Sequence, residues 1–203
     1  PEDIGVAARE WVLKNIQDGL ITEGRFAVDL RPGDLQRPAP RPGMARLDWT
    51  FRDVSAEYFG ELPRIEGAMG NGFVDGLEFG LTVTEATAGG LSLSEGKLHI
   101  ADLTLPSPIL DVAFVAHGPV PNVLAALDAK PLGFAKALSL RPENSSGTSA
   151  TRALFRIPLG EGAAVDKIGY SAAANIADLS LAGIAGGYTM EGGAFSLSVE
   201  GSA

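Results

Sequence analysis

Short runs in which every second residue is apolar organise this chain. Leu77, Phe79, Leu81 and Val83 alternate with Glu78, Gly80, Thr82 and Thr84, and Leu110, Val112, Phe114 and Ala116 alternate with Asp111, Ala113, Val115 and His117. A two-residue period places each apolar set on one face of an extended strand. The same period recurs at Phe26, Val28 and Leu30; at Leu47, Trp49 and Phe51; and at Phe155, Ile157 and Leu159. It returns at Ile168, Tyr170, Ala172 and Ala174, and at Phe195, Leu197 and Val199. Asn71-Gly72, Asp75-Gly76 and Glu95-Gly96 supply positive φ, so they predict tight turns between antiparallel neighbours. In residues 97–105 the phase slips, with Leu98 and Ile100 on one parity and Leu103 and Leu105 on the other. Either a bulge at Ala101-Asp102 or a strand end accounts for that.

Elsewhere the period lengthens. Ile4, Ala8, Trp11, Val12 and Ile16 predict an amphipathic helix over 4–17, stopped at Asp18-Gly19. Val120, Val123, Leu124 and Leu127 predict a second helix over 120–129 that must end before Pro131, with a further short turn of helix over 132–138. Residues 31–44, with four prolines and three arginines, predict a loop or ragged edge, because proline cannot donate into a ladder. The expected plan is a helix over 1–20, an antiparallel meander over 21–117, a helical insertion and loop over 118–146, and a second meander over 147–203 that continues the sheet. The fold class is mainly β.

Composition narrows the function. With 16 basic and 25 acidic residues the net charge is −9, which argues against a nucleic-acid backbone as partner. The absence of cysteine removes any disulfide framework or thiolate metal site. No stretch approaches the roughly 20 apolar residues that span a bilayer. The chain opens in mid-pattern at Pro1, as expected of a section of a longer protein.

Catalytic signatures are missing. Gly70, Gly72 and Gly76 have the wrong spacing for a dinucleotide loop and sit between strands, where a hairpin turn is the expectation. Gly96-Lys97 lacks the earlier glycine of a phosphate loop, and there is no G-x-S-x-G elbow. A metal at His99 and His117 needs carboxylates such as Asp102 or Asp111, and two surface histidines are the simpler expectation. Asp75, Glu78 and Glu85 leave a glycosidase-like pair open, although most such carboxylates are simply solvated. The expectation is a protein that is not an enzyme and holds no cofactor or metal.

One set of residues carries a resemblance. Trp11-Val12, Asn15-Ile16 and Gly19-Leu20-Ile21-Thr22 are followed by Leu62-Pro63 and Ile65-Glu66-Gly67. Next come Gly96-Lys97-Leu98-His99-Ile100-Ala101-Asp102-Leu103, Gly118-Pro119, Leu127-Asp128, Pro131-Leu132 and Ile157-Pro158-Leu159. Over nearly its whole length the chain resembles the central segment of YhdP-type members of the AsmA-like superfamily. That resemblance implies an internal section of a large Gram-negative envelope protein, anchored in the inner membrane by a helix outside this sequence and crossing the periplasm. It implies a curved antiparallel sheet forming an elongated, taco-like groove that conducts phospholipid or another acyl-chain lipid toward the outer membrane. The partners implied are that lipid and the remaining segments of the same protein, and no catalytic residues carry over.

The groove candidates are then Leu77, Phe79, Leu81, Val83, Leu110, Val112, Phe114, Phe155, Ile157, Ile168, Tyr170, Phe195 and Leu197. Burying an acyl chain gains roughly 0.8 kcal/mol per CH₂, so about fifteen methylenes offer on the order of 12 kcal/mol without any specific polar contact. Two other readings stay open: a structural or interaction module of the envelope whose apolar rows form an ordinary sandwich core, and an all-β enzyme acting on polysaccharide.

Overall fold

Ten strands make one open antiparallel sheet in the computed structural model, which describes residues 13–37, 39–58, 60–130, 141–160, 167–184 and 188–201. The strands are β1 (Ile16–Val28), β2 (Ala45–Ala56), β3 (Ile65–Asp75), β4 (Glu78–Ala88), β5 (Leu91–Ile100), β6 (Ile109–Pro119), β7 (Ser145–Pro158), β8 (Gly169–Ile184), β9 (Tyr188–Glu191) and β10 (Phe195–Gly201). An α-helix of nine residues, α1 (Val120–Asp128), lies between β6 and β7. Sheet order follows chain order from β1 to β8, with β10 and the short β9 both pairing with β8. The sheet does not close into a barrel. The meander predicted from alternation is therefore observed.

Several sequence expectations need correction. Only residues 13–15 of the expected first helix are helical among the described residues, and most of its span lies outside them. From Ile16 onward the backbone pairs with β2, so tertiary pairing overrides the helical spacing there. Asp18-Gly19 is no stop: Gly19 (φ 138) sits inside β1 with Val54 pressed against it, absorbing a slip in register. The expected helical turn at 132–138 lies outside the described residues. Leu77 is in the two-residue turn between β3 and β4 rather than in the strand, with Gly76 (φ 61) ahead of it. Ile168 lies just ahead of β8.

Asn71-Gly72 and Glu95-Gly96 are not turns either. Both pairs lie inside strands, the first in β3 and the second in β5. The tight turn joining β4 to β5 is Gly89-Gly90, where two successive positive φ angles (56 and 77) suit the twist of the flanking strands. The slip after Ile100 is a strand end.

Glu95 (φ 52) belongs to a line of bulges across the sheet. Extra residues interrupt the ladder at Arg52-Asp53 in β2 (Asp53 φ 55), at Gly67 in β3 (φ 61), at Thr84 in β4 and at Glu95 in β5. Each extra residue reverses the side on which even and odd positions fall. Apolar residues reverse parity at the same places, so one face stays apolar through the crease. Thus Trp49 and Phe51 before the bulge and Val54 after it, like Val83 and Ala86, share a single cluster.

Candidate functional site

The candidate site is the apolar face of the sheet. Its rows follow from strand register: Phe79, Leu81 and Val83 oppose Ile100, Leu98 and Gly96, and Leu98 opposes Val112. Val112 opposes Phe155, which opposes Tyr170, while Ala153 opposes Ala172 and Leu197 opposes Ala174. Directly opposed residues point to the same side. The structure therefore brings Phe79, Leu81, Val83, Leu110, Val112, Phe114, Phe155, Ile157, Tyr170, Phe195 and Leu197 onto one face. Leu77 and Ile168, outside the strands, do not belong to these rows.

Among the described residues little covers this face. No large side chain among the described residues is fully buried. The chain exposes 12882 Å², against roughly 9,000 Å² expected of a compact protein of this mass. Leu197 is 58% exposed and Phe26, on β1, 69%. Among the described residues there are two buried clusters. Phe51, Ala68 and Ala86 sit at the crease with Trp49, Val54, Ile65, Leu81, Val83 and Leu93 around them. Val120 and Leu124 of α1 pack on Leu179, Ile176, Leu181 and Met190.

Glycine shapes the first cluster. A Cβ at Gly72 would run into the Trp49 ring and come within 2.9 Å of Leu81, and one at Gly96 within 2.8 Å of Val83. Large side chains thus lie down over glycine and cover the sheet themselves. Sequence reasoning missed this role for Gly72 and Gly96; an isolated glycine inside an alternating run was the available signal. Trp49 and Phe79 lie with ring centroids 6.3 Å apart, and Phe114 and Phe155 stack at 6.1 Å.

The opposite face is polar and self-paired. Arg156 bonds Asp111 at 3.1 Å, Arg152 bonds Glu95 at 3.0 Å, and His99 meets Glu78 at 2.9 Å. Arg46 holds Asp48 and Asp75 and stacks 4.7 Å above Phe73. An open depression of about 790 Å³ lies here, lined in part by Lys97, His99, Asp111, Arg156 and Glu200. Asp102, a possible metal ligand by sequence, instead accepts from the Thr104 hydroxyl and amide, and these bonds hold its carboxyl below the usual range. Among the described residues no three His, Asp or Glu side chains converge on a potential metal position.

The proline- and arginine-rich stretch folds around one acid. In a single 3-10 turn (Asp34–Gln36), the Asp34 side chain is 4% exposed and accepts from the Arg31 amide and from Arg41 Nε. The Arg31 amide is the main cause holding its carboxyl below the ordinary value, with Arg41 and Arg37 assisting against burial. No family model, curated protein or solved structure matches this chain.

Proposed function

We propose that this chain is a section of a lipid-conducting β-groove of the Gram-negative envelope, as its resemblance to YhdP-type AsmA-like proteins implies. The reading places it in the periplasm, as part of a longer protein anchored in the inner membrane. Its ligand is phospholipid or another acyl-chain lipid, and it does no chemistry of its own. One observation carries the reading: a single sheet presents a continuous apolar face over which, among the described residues, only α1 forms a second layer. A sandwich needs a second sheet to cover such a face. Acyl chains satisfy the same hydrophobic demand without directional bonds.

Mass spectrometry of organic extracts from the purified chain tests this. Co-purified phospholipid or fatty acid at near-stoichiometric amounts is the expected result. A lipid-free protein that also fails to take up a fluorescent fatty acid would sink the proposal.

The alternative, a β module of the envelope that acts by pairing with further strands, is favoured by a different feature. All thirteen residues of β1 are exposed, and among the described residues no strand pairs with its outer edge. The two readings are compatible where the next section of the same protein continues the sheet.

A further inference from the structure

On the polar face, one row of residues is left out of the ion pairing. Strand register sets Lys97 opposite Ala113, Ala113 opposite Leu154, Leu154 opposite Ser171 and Ser171 opposite Glu200. All five therefore point to the same side. All five line the open depression of about 790 Å³, a volume in the range of small-ligand sites. Other charged side chains that line it are engaged, Arg156 with Asp111 and His99 with Glu78. Among the described residues Lys97 and Glu200 have no hydrogen bond or ion pair. Midway between these two charges Leu154 is 48% exposed, a large apolar side chain on the polar face.

We propose that this row binds a short zwitterionic peptide laid across the strands. Its carboxylate meets Lys97, its amine meets Glu200, and an apolar middle side chain rests on Leu154. The dimensions suit such a ligand. Four strand spacings put the Lys97 and Glu200 backbones at most roughly 19 Å apart. Their side chains, leaning toward each other, leave about 10 Å between the charges, which an extended tripeptide spans at about 3.5 Å per residue. The engaged neighbours keep their partners, and the ligand supplies the two charges that the row lacks. Exposed charge contacts are individually weak and screened by salt, so the dissociation constant belongs near about 1 mM. The inference is independent of the lipid reading, because the apolar face lies on the other side of the sheet.

Titrating the isotope-labelled protein with the tripeptide Ala-Leu-Ala at low salt tests this by amide chemical shifts. Saturable shifts centred on Ala113, Leu154 and Ser171 are expected, and salt should weaken them. The same peptide with its amine acetylated and its carboxyl amidated should bind severalfold more weakly. Lys97→Glu and Glu200→Lys should each abolish saturation, whereas the two together should restore it, because the peptide then lies the other way round. Both positions are exposed, so every variant should melt with the wild type. Absence of saturable shifts in the wild type would overturn the proposal, and so would equal binding of the capped peptide. Retained binding in either single variant, or no recovery in a folded double variant, would overturn it as well. Equal shifts from octanoate alone would make the row a second apolar-tail surface and sink the peptide assignment.

Discussion

The two halves of the apolar face solve one problem differently. From β2 to β5, aromatic and branched side chains fold down over Gly70, Gly72 and Gly96, so the sheet covers itself along the crease. From β6 to β10 the face is floored by Ala116, Ala153, Ala172 and Ala174, bridged by the stacked Phe114 and Phe155, and covered at one end by α1. In the first half large side chains rest on glycine, whereas in the second a stacked aromatic pair stands beside alanine. Leu81 and Val83 pack into the crease cluster and Phe114, Phe155, Tyr170 and Leu197 do not, so on the proposed lipid reading the latter are the better candidates for touching an acyl chain.

A charge placed in each half tests this most severely. Phe51→Asp buries a carboxylate in the crease cluster, where Phe51 is only 7% exposed, and should cost several kcal/mol and unfold the chain. Phe114→Arg should keep the fold, because a long side chain on a half-open face carries its charge to water, while losing bound lipid. Leu197→Asp, already 58% exposed, should leave the melting temperature within a few degrees of wild type. Thermal melts and uptake of a fluorescent fatty acid read both effects. Unfolding by Phe114→Arg would mean that the second half is as closed as the first.

Alternation made the strands legible, and the 3.6-residue spacing of Val120, Val123, Leu124 and Leu127 located α1. The bulges were not legible. Glu95-Gly96 in a bulge and Gly89-Gly90 in a hairpin both supply positive φ, and the residues themselves do not say whether the chain then reverses or carries on. Only pairing with β4 and β6 decides that. The candidates that lie in strands share one face because the crease bulges fall where the apolar parity itself reverses. Leu77 was misplaced because its parity continues into the turn although its backbone does not. The helix expected to extend to Gln17 yielded where β2 supplied a partner for Ile16.

Glycine substitutions sharpen the same contrast at smaller scale. Gly72→Val forces Trp49 and Leu81 off the sheet and should destabilise by about 1–3 kcal/mol. At Gly24 on β1, a Cβ meets nothing within 4 Å, so Gly24→Ala should be neutral or stabilise by about 0.4–1 kcal/mol. Urea denaturation with an unchanged slope checks both. A harmless Gly72→Val would mean that the Trp49 cover is loose.

Strain at the crease gives a smaller effect of opposite sign. Glu95 holds φ 52 without being glycine, a conformation that costs of the order of 1 kcal/mol or more. Glu95→Gly relieves it and gives up the pair with Arg152, whose side chains are 62% and 61% exposed and so contribute little. The net expectation is a gain of roughly 0.5 kcal/mol after the added freedom of glycine in the unfolded chain is counted. A clear loss would place the Arg152 contact above the strain.

Acid should act unevenly, and most gently of all near neutrality. Among the described residues the carboxyls held below their ordinary values are Asp34, Asp48 and Asp102; Asp48 is held chiefly by its hydrogen bonds from Arg46. A depressed folded-state value means that the unfolded chain binds protons first as pH falls. The stabilisation is then complete above the unfolded value, about 4, and is lost as pH falls through the lower folded one. Stability should stay flat from pH 7 to about 5 and decline below 4. Asp34 ties down the β1–β2 loop, Asp48 sits on β2, and Asp102 orders the β5–β6 loop, so the decline belongs to the β1–β6 part of the sheet. No comparable depressed acid lies on β7–β10 among the described residues. Hydrogen exchange at pH 3.5 should therefore rise first in β1 and β2 and last in β7 and β8. The reverse order would assign the acid sensitivity to the open half and separate it from the Asp34–Arg41 contact.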